Sequence, residues 1–291
     1  MCNCQSALQS ANSWLALAIG NSRLHWAWFD GEQLVERWDT PHLDRAAIAQ
    51  DHRSNALHGL DKGAQRCAPT ENWVDRNCLI RHPKGDRNPD SPPPTELWLA
   101  SVVPEQTRLW QEQISVYQTL TLAQVPIAGL YPTLGIDRAL ALWGALEHYH
   151  APALVIDAGT ALTLTAADGQ GRLVGGAILP GLQLQWRSLA KNTAALPFVA
   201  SASLPPRWAL NTADAIRSGV VYTAIAGLYD YVTDWLGQFP QSAIAITGGD
   251  GAFLHQQFTA LHPDRVESIT LDPDLLFWGM RSVRQRLKQH S

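Results

Sequence analysis

A segment near the start of the chain, Leu15-Ala16-Leu17-Ala18-Ile19-Gly20-Asn21-Ser22, is echoed by Leu154-Val155-Ile156-Asp157-Ala158-Gly159-Thr160-Ala161. Each copy is an apolar run of strand length that stops at a glycine-led polar turn. After each turn comes a second strand-like run, Arg23–Phe29 and Leu162–Ala166, and these run into Asp30-Gly31 and Asp168-Gly169. Asp-Gly is a dipeptide that favours a tight hairpin. Two copies of strand, polar turn, strand and Asp-Gly predict two related α/β halves facing one cleft.

The length of 291 residues also points to two domains, because single domains usually hold about 100–200. The boundaries expected are 14–137 and 138–291, with 1–13 as a disordered tail. Hydrophobic residues make up 46% of the chain and charged ones only 16%, enough apolar material for a sizeable core. With 22 Lys+Arg against 26 Asp+Glu the net charge is −4. A mildly acidic chain without a basic block excludes nucleic acid as a partner. No apolar stretch nears the roughly 20 residues of a membrane-spanning helix, so no membrane association is expected. Met1–Ser13 carries no basic residue and does not read as a signal peptide, so a cytoplasmic location is expected. Cys2, Cys4, Cys67 and Cys78 lack zinc-finger spacing and read as solvated or packed thiols. The 12 tryptophans are scattered and read as packing residues.

Leu97–Val103 reads as a buried strand stopped by Pro104, with a helix from Glu105. Ahead of it, Arg81–Pro94 is too rich in proline to hold regular structure and reads as an exposed insertion near 80–95 without chemistry. Arg138–His150 is helical in composition, and Ala153–Ile156 is a second buried strand. Thr212–Leu236 has the period of a long helix, capped by Asn211 or Thr212. Ala243–Thr247 is a strand closed by Gly248-Gly249, and Val266–Leu271 a last strand before a C-terminal helix from about Leu275. The basic end of that helix is a solvated terminus.

The turns Gly20-Asn21-Ser22 and Gly159-Thr160-Ala161 can both present amides and a hydroxyl to phosphate oxygens. Either alone reads as an ordinary hairpin corner. As a facing pair, with Gly248-Gly249-Asp250-Gly251 after a third strand, they read as a nucleotide cleft. No Gly-Lys-Ser/Thr occurs, and no strand leads into Gly-x-Gly-x-x-Gly, so neither a P-loop nor a dinucleotide fold is supported.

The most distinctive segment is Tyr131-Pro132-Thr133-Leu134-Gly135-Ile136-Asp137-Arg138. It reads in two ways: Asp137 as a helix cap beside a solvated Arg138, or Asp137 as a base with Arg138 steadying an anion. A carboxylate of ordinary pKa, about 3.9, is a weak base for an alcohol. It can still accept a proton late in a loose phosphoryl-transfer transition state. Asp157, after an apolar strand, must be paired with its own turn's amides or hold a cation, and the two readings stand level. Gly175–Gly181 reads as a flexible corner entering a helix, and His25 and His148 as surface or packing residues.

Together these segments resemble the type III pantothenate kinases, of the acetate and sugar kinase/Hsp70/actin-like superfamily. That family's Asp-x-Gly-Asn-Thr is met by Ala18–Ser22. Its Pro-x-x-Leu-Gly-x-Asp-Arg is met by Pro132–Arg138 with one residue fewer after the proline. Asp157–Thr160 meets Asp-x-Gly-Thr, Gly175–Gly181 meets Gly-Gly-x-Ile-x-Pro-Gly, Asn211-Thr212 meets an Asn-Thr ahead of a helix, and Thr247–Gly249 meets Thr-Gly-Gly.

The resemblance implies an α/β fold of two duplicated actin-like (ribonuclease H-like) domains facing a central cleft. It implies ATP-dependent phosphorylation of pantothenate in coenzyme A synthesis. Asp137 would be the catalytic base, and Tyr131, Gly135, Ile136, Arg138 and Thr212 would line the pantothenate site. Gly20, Asn21, Ser22 and Arg23, with Thr160, Gly248 and Gly249, would bind ATP. Mg2+ would come with the ATP, Asp157 would hold a monovalent cation such as K+ or NH4+, and the protein would be a homodimer. Ala18 departs from the pattern, since the family has Asp there to help hold Mg2+. Two other readings follow from the same residues: a non-catalytic nucleotide- or pantothenate-binding regulator, or a kinase of this fold acting on another small alcohol or acid.

Overall fold

The computed structural model describes residues 13–45, 48, 96–114, 116–200 and 203–290. The four cysteines, the Arg81–Pro94 insertion and all of the expected tail but Ser13 lie outside these. The chain divides into two compact units. One runs to Gln124 and takes in Gly135–Asp137; the other holds Val125–Leu134 and everything from Arg138 onward.

The first unit is built on a five-stranded sheet of β1 (Ser13–Ile19), β2 (Leu24–Asp30), β3 (Gln33–Thr40), β4 (Glu96–Ser101) and β5 (Gln118–Thr119), in the order β3-β2-β1-β4-β5. Strands β1 to β3 form an antiparallel meander, and β4 and β5 add in parallel. β3 continues the meander beyond the Asp30-Gly31 turn, where the sequence reading named no strand. Every residue of β1 is buried, as a central strand with both faces covered requires. The β4 strand ends at Ser101, two residues sooner than the apolar run, because the Ser101 hydroxyl accepts from the Val103 amide at 3.0 Å. Pro104 then opens helix α1 (Pro104–Gln113), a position where its missing N–H costs nothing. Tryptophans fill this unit's core: Trp26 stacks on Trp38 at 5.9 Å and meets Trp110 edge-on at 5.3 Å.

The second unit repeats the plan. Its strands are β6 (Ala153–Ala158), β7 (Ala161–Ala167), β8 (Leu173–Pro180), β9 (Ala243–Thr247) and β10 (Thr270–Leu271), ordered β10-β9-β6-β7-β8. Read from its meander edge, this is the order of the first sheet, with β6–β8 antiparallel and β9 and β10 parallel. The helices are α2 (Ile136–Tyr149), whose first two residues belong to the first unit, α3 (Leu182–Asn192), α4 (Thr212–Gln238), α5 (Gly251–Leu261) and α6 (Leu275–Gln289). The core joins β6, β7 and β9 to the buried face of α4, from Ile216 to Trp235. The duplicated α/β plan expected from the repeat is therefore present in both units.

Two expectations are corrected. The Gly175–Gly181 segment is mostly strand: β8 pairs with β7 along its length. Gly176 serves close packing, since a Cβ there would strike the Leu164 carbonyl and lie 2.6 Å from Arg138 Nη2. The last strand is only Thr270–Leu271, because Pro263 opens a 3-10 turn that lasts to Ser268, so the chain reaches the sheet edge late. Val125–Leu134 joins the second unit through Ala128, whose carbonyl accepts from the Leu173 amide at 2.9 Å.

Candidate active site

In the first unit the Gly20 turn follows β1 directly. The Gly20 amide donates to the Arg23 carbonyl at 3.0 Å, and the Val102 amide beyond β4 donates to the Ile19 carbonyl at 3.1 Å. His42 donates from Nε2 to the Gly20 carbonyl at 2.8 Å. Asn21, Ser22 and Arg23 are exposed. Gly135 rests against the same strand end: a Cβ there would lie 3.7 Å from Val102 Cγ1 and would strike Asp137 Oδ1. Glycine at 135 thus leaves room for the Asp137 carboxylate, which is half-buried in the first turn of α2. The Gly20 turn, Gly135 and Asp137 are brought to the carboxyl ends of β1 and β4, where ligands bind in α/β sheets. Ile136 is buried.

In the second unit Arg138 is not a solvated residue; it is 7% exposed. Its Nε donates to Thr165 Oγ1 at 2.9 Å, Nη2 to the Leu164 carbonyl at 2.9 Å and Nη1 to the Tyr131 hydroxyl at 3.3 Å. The guanidinium is therefore fixed on β7, and Tyr131, itself largely exposed, is tied to it.

Asp157 lies near the carboxyl end of β6 among glycines. A Cβ would stand 3.4 Å from its Oδ1 at Gly159 and 2.5 Å at Gly248. Gly248 has φ +89°, a conformation that L side chains rarely adopt. Thr160 is exposed at the tip of its turn, and its carbonyl accepts from the Gly181 amide at 3.0 Å. Of the second-unit members of the expected ATP set, Gly248 packs on the Asp157 strand end, while Thr160 and Gly249 lie in the turns that follow β6 and β9. Asn211 and Thr212 are exposed at the start of α4, where Asn211 Oδ1 accepts from the Asp214 amide at 2.9 Å.

Sequence reasoning passed over two groups. Asp250, at the cap of α5 without a capping bond, is half-buried, and burial raises its carboxyl pKa; the Gly-Gly-Asp-Gly run was its signal. His25 forms a pair with Asp39, Nδ1 to Oδ1 at 2.8 Å, that only strand pairing creates. Burial works to raise the Asp39 pKa, but the His25 hydrogen bond and the charges of His25, Arg23 and Arg37 outweigh it and hold the carboxyl below its ordinary range. Among the described residues no cluster of three or more His, Cys, Asp or Glu could hold a metal ion. No described helix is long and apolar enough to cross a membrane.

Comparison with known proteins bears on this arrangement. The pattern described as type III pantothenate kinase matches residues 14–234. A type III pantothenate kinase of Nostoc sp. is 49% identical over 282 residues, covering 96% of this chain and 97% of the relative. One of Synechocystis sp. is 42% identical over 276 residues, covering 93% and 90%. Among solved structures, a Campylobacter jejuni protein described as a Baf family transcriptional activator aligns with a TM-score of 0.52 at 19% identity, over 94% of this chain and 99% of that one. A Sinorhizobium meliloti protein described as a 2-dehydro-3-deoxygalactonokinase aligns with a TM-score of 0.51 at 14% identity, over 94% and 96%. These two share the fold alone. The sequence matches run through both repeats and through the Gly135–Arg138 helix start, and on that extent the chain belongs to the type III pantothenate kinase family.

Proposed function

We propose that this protein phosphorylates pantothenate, transferring the γ-phosphoryl group of ATP to the substrate hydroxyl to give 4'-phosphopantothenate and ADP, the first step of coenzyme A synthesis. The observation that carries the reading is the start of α2 in a chain matched by its relatives nearly end to end. There Gly135 clears space for the Asp137 carboxylate, and Arg138 is locked in place by β7 and Tyr131.

In this reading the hydroxyl oxygen forms the new P–O bond while the bond to the ADP oxygen breaks. Asp137 receives the hydroxyl proton late, where positioning counts for more than basicity. Tyr131, Gly135, Ile136, Arg138 and Thr212 line the pantothenate site, with Arg138 offering positive charge to the carboxylate end. Gly20, Asn21, Ser22 and Arg23 of the first unit, and Thr160, Gly248 and Gly249 of the second, contact the ATP phosphates through amides and hydroxyls.

Mg2+ bound to ATP supplies charge neutralisation. With Ala18 in place of a carboxylate, this position would give such an ion no ligand, and phosphate oxygens and water would have to hold it, as they commonly hold Mg2+. The Asp157 carboxylate, in a cradle that a Cβ at Gly248 would fill, is a hard oxygen donor suited to K+ or NH4+. A homodimer is supported by apolar groups left in solvent on the second unit: Val174 and Ile178 on β8, Phe198, and Trp208 and Leu210 ahead of Thr212. A cytoplasmic setting goes with this reading.

The test is ATP-dependent phosphorylation of pantothenate by the purified protein and by Asp137→Asn, with and without K+ or NH4+. Cation-stimulated turnover that vanishes in the variant supports the kinase and its base. ATP binding without turnover under any condition selects the non-catalytic relative, and turnover only with another alcohol selects a different substrate.

A further inference from the structure

Two successive peptide groups at the tip of β1 are held in different ways. The peptide joining Ile19 to Gly20 is tied at both ends by backbone. Its carbonyl accepts from the Val102 amide at 3.1 Å, and its N–H donates to the Arg23 carbonyl at 3.0 Å. The peptide joining Gly20 to Asn21 has a single tie, and that tie is a side chain. His42 Nε2 lies 2.8 Å from the Gly20 carbonyl. A carbonyl oxygen only accepts, so Nε2 carries the proton whether the ring is neutral or charged. Among the described residues the Asn21 amide meets no acceptor. Local sequence leaves this second peptide free to turn over. Turning it changes ψ of Gly20 and φ of Asn21; glycine has no Cβ to resist, and asparagine tolerates positive φ.

His42 is itself pinned on either side. β3 ends at Thr40, which pairs with Leu24 at the start of β2, so register carries the chain past the Gly20–Arg23 turn. Thr40 Oγ1 accepts from the buried Trp26 Nε1 at 3.1 Å, and Leu43 is buried in this unit's core. The peptide after Gly20 is trans, so its carbonyl and its N–H point to opposite sides. With the carbonyl on His42, the Asn21 N–H is turned the other way, at an exposed residue. We propose that His42 is a positioning residue for the nucleotide: by holding the Gly20 carbonyl, it keeps the Asn21 N–H turned outward as a donor to a phosphate oxygen of ATP. The inference rests on the kinase reading above and adds to it the group that sets the turn. A backbone donor oriented before the ligand arrives loses little freedom on binding, and hydrogen bonds to charged oxygens are the strong ones. His42 acts through the peptide and spends its own proton on the carbonyl, so a neutral ring suffices.

The test compares His42→Ala and His42→Phe, which lack a donor and differ in bulk, with His42→Gln, whose amide nitrogen can reach the place of Nε2. The readouts are the direct affinity for the non-hydrolysable imido analogue of ATP with excess Mg2+, and KM for pantothenate. Loss of one amide–phosphate hydrogen bond predicts about tenfold weaker analogue affinity in His42→Ala and His42→Phe, with KM for pantothenate unchanged. His42→Gln restores the donor and brings the affinity back to within about threefold of wild type. Wild-type affinity in either His42→Ala or His42→Phe overturns the proposal. So does an equal loss in His42→Gln, or a matching rise in KM for pantothenate, since either would mark general damage to the turn. Binding needs no turnover. A wild-type protein that binds the analogue but leaves pantothenate unphosphorylated defeats the kinase reading alone, and one that binds no nucleotide defeats both.

Discussion

Arg138 Nε donates to Thr165 Oγ1 at 2.9 Å, across 27 residues of sequence, with both side chains buried. A guanidinium held this way is part of the second unit's architecture. Burial makes its partners costly to abandon.

Arg138→Met is therefore expected to lower both stability and substrate affinity. Unpairing the Leu164 carbonyl and the Thr165 hydroxyl should cost about 1–3 kcal/mol, read by urea unfolding. KM for pantothenate should rise at least about tenfold, since a hydrogen bond to a charged group is worth about 1.5–3 kcal/mol. Thr165→Val, which removes one acceptor, should cost about 1 kcal/mol and leave KM within a few fold.

Asp137→Asn tests the base without disturbing the fold. The carboxylate lies over Gly135 at the start of α2, and the amide fits the same space. Turnover should fall by about 10²–10⁴ with both KM values close to wild type, while the unfolding free energy stays within about 0.5 kcal/mol.

Neighbouring glycines should behave in opposite ways. Gly248→Ala meets a φ of +89° and a Cβ 2.5 Å from Asp157 Oδ1, so a loss of about 1–3 kcal/mol is expected, together with weakened nucleotide binding. Around Gly249 nothing lies within 4 Å of an added Cβ, and Gly249→Ala should change stability by less than about 0.5 kcal/mol. Thermal unfolding of the two variants side by side makes the comparison.

Tyr149 sets an alkaline limit. Burial, then the hydrogen bond to Asp272 at 2.9 Å and its charge, push the phenol up to about 12. The folded protein holds this proton more tightly than the unfolded chain, whose phenols titrate near about 10. The stabilisation is thus complete below about pH 10 and lost as the pH rises through about 12. Because the ring is partly solvated, the effect is modest. An absorbance titration of tyrosinate should show one phenol near that value, absent in Tyr149→Phe.

Much of this protein could be read along the chain. The apolar runs of β1, β6 and β9, the glycine turns after them and the long period of α4 are local properties. Each follows from the alternation or 3.6-residue spacing of apolar residues and from the turn residues that stop them. The repeat of those runs foretold two sheets of one topology, and the motifs placed Asp137, Asp157 and Thr160 in a family.

Tertiary structure decided what depends on strands lying side by side. No spacing marks Asp39 as the partner of His25, or Leu164 and Thr165 as the partners of Arg138, because register, not sequence distance, brings them together. The same holds for Gly176, which reads as a flexible corner until β8 is laid on β7 and its missing side chain proves to be the room that Arg138 occupies. Local chemistry chooses the elements. Pairing and burial choose which polar groups must satisfy one another, because a buried donor or charge is stable only with the partner that packing provides.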